Sequence, residues 1–163
     1  MKKILLLSDT HSYIDDRILD YAQQADEIWH AGDIGDISVT DKLAAIKPLR
    51  AVYGNIDDNK ARADFPLNNR FTVEGVDVLI THIGGYPGKY SPAIRNEIYS
   101  NPPKLFISGH SHILKVITDK KLRLIHMNTG AVGKHGFQKV RTILRFELNT
   151  GKIENLEVIE FKL

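Results

Sequence analysis

Cysteine is absent from this 163-residue chain, which excludes disulfide staples and thiolate metal sites together. Long apolar runs are lacking too, and nothing approaches the ~18 residues of a membrane-spanning helix. The opening Met1-Lys2-Lys3 is followed by only four apolar residues, Ile4 to Leu7, before Ser8-Asp9. That is too short for the apolar stretch of a secretory signal, and it reads as a first strand. The resulting expectation is a cytoplasmic protein with no membrane partner. Excess charge is also missing, and a net charge of +2 argues against a general nucleic-acid binder. One local excess exists: Lys115, Lys120, Lys121, Arg123, Lys134, Lys139, Arg141 and Arg145 stand against the single acid Asp119. It reads first as the solvated face of hairpins and second as a positive rim for an anionic substrate. No repeat, low-complexity stretch or linker interrupts the chain, so residues 1–163 read as one domain with one buried core.

What is present is a strand–helix alternation in the first half. Strands over Ile4–Leu7, Glu27–His30 and Leu49–Tyr53 are separated by helices over Asp16–Gln24 and Thr40–Ile46, the second started by a capping box of Ser38 and Asp41. Such alternation predicts a largely parallel sheet with helices packed on it. Arg70–Val73 and Val76–Ile80 read as a hairpin turning at Glu74-Gly75. A helix over Ala93–Ser100 is stopped by Pro102-Pro103. After Leu105–Ser108 the style changes to hairpins: Lys115–Thr118, Leu122–Met127, Val140–Leu148 and Ile153–Phe161, the last two joined at Asn149-Thr150-Gly151. The expected fold is α/β: two stacked sheets, with helices outside at least the first.

Five of the apolar runs end in residues able to bind a metal: Asp9-Thr10-His11, Gly32-Asp33, Gly54-Asn55, Thr81-His82 and Gly109-His110-Ser111-His112. Ligands of open α/β sheets bind beyond the carboxyl ends of strands, so all five are expected at one edge of one sheet. In extended chain, residues i and i+2 share a side, which would aim Asp9 with His11 and His110 with His112 inward. Gly32, Gly54 and Gly109 precede proposed ligands and permit close backbone approach. Each short motif is common by chance; five in order are not. Two carboxylates, one carboxamide and four imidazoles exceed the needs of one tetrahedral zinc but suit two adjacent divalent ions sharing a carboxylate. Asp33 is the candidate bridge, from a strand expected to be central. Without thiolates, Mn²⁺, Fe²⁺, Ni²⁺ and Zn²⁺ all suit the donor set, with Mn²⁺ the first expectation.

This ordered set resembles the calcineurin-like metallophosphoesterases, and the short length and late Gly-His-Ser-His motif look like their small bacterial and archaeal phosphodiesterase branch. Asn128-Thr129-Gly130-Ala131 is similar to an Asn-Pro-Gly-Ser turn of that branch, with the proline replaced. The resemblance implies two mixed sheets packed face to face with flanking helices. It implies one metal on Asp9, His11, Asp33 and His112, and a second on Asp33, Asn55, His82 and His110. It also implies in-line attack on phosphorus by a metal-bound hydroxide, with a small or nucleotide-like phosphodiester as substrate in preference to a monoester. Two departures stand out. Many members carry a histidine after Gly-Asn as general acid, where this chain has Ile56 followed by Asp57. After His82 comes a longer glycine-rich loop, Ile83 to Gly88.

For the missing acid, Asp57 and His135 are the candidates, although an ordinary carboxyl is ionised at neutral pH and has no proton to give. His135 sits in a basic loop, where a plain surface histidine is the competing reading. His30 reads as a structural hydrogen-bonding group and His126 as packing, with Trp29, Phe71, Phe106 and Phe146 as core. The rival functions are a non-catalytic scaffold, as in a relative from the retromer coat, and a nuclease. Completeness of the ligand set weighs against the first, and the lack of room for a DNA-recognition domain against the second. Assembly into a homo-oligomer is left open.

Overall fold

A computed structural model describes residues 1–162. The chain runs β1 (Lys2–Leu7), α1 (Asp16–Gln23), β2 (Glu27–His30), α2 (Ser38–Ala44), β3 (Leu49–Ala51), α3 (Asn59–Asp64), β4 (Asn68–Val73), β5 (Val76–Thr81), β6 (Gly85–Tyr86), β7 (Lys89–Tyr90), α4 (Pro92–Ser100), β8 (Leu105–Ser108), β9 (Leu114–Asp119), β10 (Leu124–Thr129), β11 (Val140–Asn149) and β12 (Lys152–Lys162). Two five-stranded mixed sheets result, ordered β12-β11-β1-β2-β3 and β4-β5-β8-β10-β9, with β6 and β7 as a separate ribbon. β1, β2 and β3 pair in parallel, as do β5, β8 and β10.

β1 shows why the layers form. Its unbroken apolar run has no polar face, so both faces must be covered. Ile4 and Leu6 enter the core between the sheets, with Trp29, Val78, Ile80, Ile107 and Phe146. Leu5 and Leu7 lie on the opposite side, under Ile18 and Ala22 of α1 and Val39 and Leu43 of α2. Full burial of such a side chain contributes about 2 kcal/mol. α4 covers the outer face of the second sheet through Ile94 and Ile98 against Leu79 and Phe106. The architecture is therefore helix, sheet, sheet, helix.

Local departures from the sequence reading have physical causes. The capping box of Ser38 and Asp41 does not form; the Asp36 carboxylate accepts from the Ser38 N–H at 2.9 Å instead. α3 is a single short turn-and-a-half started by Asp58, which accepts from the Lys60 and Ala61 N–H groups, and six residues are too few to show a helical period. The Glu74-Gly75 hairpin is as expected, with both residues at positive φ.

Candidate metal centre

The five ligand-bearing segments do not share one sheet. β1, β2 and β3 bring Asp9, His11, Asp33 and Asn55 from the first sheet, while β5 and β8 bring His82, His110 and His112 from the second. They meet where the carboxyl ends of both sheets open at the same end of the sandwich. Backbone hydrogen bonds weld the loops together: Asp9 N–H to Gly32 O, His11 N–H to Asp33 O, and Gly109 N–H to His82 O.

Nor are the ligand segments extended. Asp9, His11, Asp33, His110 and His112 all have φ between 45° and 71°, in the left-handed region that costs most residues energy and that Asp and His tolerate better. Strain of this kind persists only where surrounding contacts enforce it. A left-handed turn, not strand alternation, is what aims these side chains. His110 and His112 accordingly face different groups: Asp9, His11 and His112 form one cluster, and Asp33, His82 and His110 the other.

Each carboxylate is divided between two tasks. Asp9 Oδ2 accepts from the Ser8 hydroxyl at 2.6 Å and the His110 N–H at 3.2 Å. Its Oδ1 is buried without a hydrogen-bond partner, 3.2 Å from His112 Nε2 and 3.8 Å from His11 Nε2 and His82 Nε2. Asp33 Oδ1 accepts from the Ile56 N–H at 3.1 Å, while Oδ2 lies 3.5 Å from His11 Nε2 and 3.1 Å from His82 Nε2. Asp33 thus reaches both clusters, although β2 is not the central strand of its sheet; β1 is. Asn55 Oδ1 stands 3.1 Å from His110 Nδ1. A Cβ at Gly54 would overlap the Asp33 carboxylate, and one at Gly109 would collide with Ser8 Oγ and Asp9 Oδ2, so glycine is what lets the carboxylates sit so close to the neighbouring loops.

The imidazoles are oriented from behind. His82 Nδ1 donates to the Ala31 carbonyl at 2.7 Å, which can only accept, and this bond turns the ring so that Nε2 faces the cluster. His112 Nδ1 donates to Gln138 Oε1 at 3.0 Å, and the Gln138 amide donates in turn to the carbonyls of Gly133 and His135. Burial opposes the charge of Asp9, yet the imidazoles of His11, His112 and His82 hold its carboxyl well below the usual carboxylate range. Burial likewise works against both Asp33 and His82, but their contact lowers the carboxyl and raises the imidazole. His112 is raised chiefly by Asp9. Ionised oxygens, inward Nε2 atoms and orphaned polar atoms (Asp9 Oδ1, His11 Nε2, His82 Nε2) make a donor set suited to borderline divalent cations.

The remaining candidates separate cleanly. His135 is exposed and stacks on His11, ring centroids 4.6 Å apart. Asp57 is buried, and both its oxygens are taken by backbone N–H groups: Gly54 at 2.7 Å, Gly35 at 2.9 Å and Ile34 at 3.1 Å. His30 lies between the Gly32 N–H and the Thr10 hydroxyl, and His126 stacks on Phe106 beside Ser108 Oγ. Asn128 donates to Gly109 O and Ser111 Oγ and so braces the Gly-His-Ser-His loop. Of the local basic excess, Arg141 is buried with a hydrogen bond to Val132 O, not solvated, whereas Lys134 stands beside His135 with its ammonium over the Tyr13 ring. Sequence reading missed Ser8, whose place beside Asp9 was a visible signal, and Gln138, whose distance in sequence from His112 hid it.

Paired sheets with imidazoles and carboxylates at their shared carboxyl end define the class as a metal-binding αββα sandwich. The description of the calcineurin-like phosphoesterase superfamily domain matches residues 1–151, and the chain belongs to that superfamily. A protein of Methanothermobacter thermautotrophicus described as a probable metallophosphoesterase is 28% identical over 112 residues, a match spanning 66% of this chain and 64% of that relative. Among solved structures, Vps29 of Entamoeba histolytica complexed with zinc superposes with a TM-score of 0.74 at 14% identity, over 98% of both chains. A Thermotoga maritima protein solved by NMR gives 0.72 at 21% identity, covering 99% of this chain and all (100%) of that one. An archaeal phosphodiesterase gives 0.69 at 17% identity over 98% and 99%. At such identities the likeness is one of fold. Among the described residues no helix is long and apolar enough to cross a membrane.

Proposed function

We propose that this protein is a dinuclear metal-dependent phosphoesterase that prefers phosphodiesters of small or nucleotide-like molecules. The observation that carries the reading is the division of labour in Asp9 and Asp33: one oxygen of each is tied to the protein, the other is turned toward the inward imidazoles. Asp9, His11, Asp33 and His112 would hold one ion, and Asp33, Asn55, His82 and His110 the other. Divalent ions, when bound in such a pair, supply a nucleophile at neutral pH and neutralise phosphoryl charge. The protein's own part is to fix ligand directions through Ser8, Gln138 and the Ala31 carbonyl, and to keep the carboxylates ionised. His135, exposed and stacked on His11, would hand a proton to a departing oxygen. Asp57 serves as a brace for the Asp33 and Asn55 loops, not as the acid.

Metal analysis and turnover test this. Saturation with Mn²⁺ is expected to load two ions, and Asp33→Ala to remove activity more completely than any other single ligand change. Bis-p-nitrophenyl phosphate is expected to exceed p-nitrophenyl phosphate in kcat/KM. At most one ion bound, with no turnover in Mn²⁺, Ni²⁺, Fe²⁺ or Zn²⁺, would favour a non-catalytic scaffold of the same fold.

A further inference from the structure

Beside the metal centre, on the side of Asn55 and His82, the surface sinks into a depression of about 280 Å³. Both residues belong to its wall, so the depression borders the candidate metal centre directly. Its apolar walls are Tyr53, Leu67, Ile83 and Ala93. Leu67 is 50% exposed and Ile83 42%, and apolar side chains left uncovered around a concave site mark a place where a ligand completes the packing. A cavity of about 150 Å³ suffices for benzene, so the space admits a planar ring with room to spare.

Two polar features fit the same occupant. The Arg62 guanidinium lies 4.7 Å above the Tyr53 ring, and its Nε donates to Asp57 O at 2.8 Å. The cation is held at the wall of an apolar slot, where it can meet the face of an aromatic ring. Asn68 Oδ1 accepts from the Thr81 hydroxyl at 2.6 Å, which leaves the amide N–H groups as donors for a ring substituent.

We propose that this depression is the subsite for an aromatic ester group of the substrate, an aryl ring or a nucleobase, and that Leu67, Ile83 and Tyr53 set that preference. The inference rests on the phosphoesterase reading and deepens it. It is tested on the zinc-loaded protein by methyl NMR, with phenylphosphonate, methylphosphonate and thymidine 5′-monophosphate as probes. Phenylphosphonate is expected to bind about tenfold more tightly than methylphosphonate and to shift the Leu67 and Ile83 methyl signals, which methylphosphonate leaves in place. The same shifts with thymidine 5′-monophosphate identify the occupant as a nucleobase; shifts with phenylphosphonate alone identify a simple aryl group. In the Leu67→Ser/Ile83→Ser protein the preference should fall below about threefold, with circular dichroism checking the fold; the wild-type methyl map stands whether or not that variant folds. Equal binding of the two phosphonates without shifts at Leu67 and Ile83 overturns the subsite and leaves the phosphoesterase reading intact. Binding of none of the three probes overturns both.

Discussion

Replacing Asp57 with alanine separates a structural carboxylate from a catalytic one. In the native protein its two oxygens accept three backbone N–H groups, from Gly54, Gly35 and Ile34, and thereby join the loop that carries Asn55 to the one that carries Asp33. A hydrogen bond to a charged acceptor is worth about 1.5–3 kcal/mol. The Gly35 bond is only partly buried, so water recovers some of its share, and the loss should total about 4 kcal/mol. That is a large part of the roughly 5–15 kcal/mol that holds a typical domain together. With a urea dependence of about 2 kcal/mol per molar, the unfolding midpoint should drop by about 2 M. Asp57→Asn keeps one acceptor oxygen but sets an amide N–H against a backbone N–H, and should cost about half as much. Both variants should also weaken metal binding at the Asp33–His82–His110 group, whatever ester is used. A midpoint unchanged in Asp57→Ala, together with a loss of turnover confined to alkyl esters, would refute the brace and restore Asp57 as proton donor.

Gln138→Leu removes the acceptor behind His112 Nδ1 and should weaken binding of one ion by about 10–100-fold while sparing the second; calorimetric titration showing two unchanged affinities would count against it. His30 and His126 are pushed down to about 4, His30 by burial and His126 by burial with Lys115 adding to it. Their unfolded imidazoles take up protons first, near pH 6.5, so the stability they confer is complete above that pH and drains away as pH falls toward 4. Urea midpoints over this window should fall, and fall less steeply in His126→Gln. Ile56 is 48% exposed at the position after Gly54-Asn55 where the resemblance leads to the expectation of a histidine acid in many members. Ile56→His should raise turnover of alkyl esters more than of aryl esters, within the ~10²–10⁴-fold that general acids contribute; equal gains for both would show that no proton donor was missing there.

The chemistry and the layering of this protein are written locally. Ile4–Leu7 is apolar without alternation, so it had to be covered on both faces, and a polar residue after each apolar run had to lie at a strand's carboxyl end. Residue types alone therefore named all seven candidate ligands, and glycine before three of them announced the close approach seen at Gly54 and Gly109. Tertiary structure decided what has no local trace. Which sheet each strand joins depends on pairing between distant segments, so the ligand ends were assigned to one sheet although two supply them. Extended geometry was assumed where five ligands turn left-handed, because φ at Asp9 or His110 is imposed by loops that arrive from elsewhere in the chain. The task of Asp57 belongs to the same category: a carboxylate two residues after Asn55 looks like chemistry until the Ile34 and Gly35 N–H groups, more than twenty residues earlier in the chain, are found pointing at it.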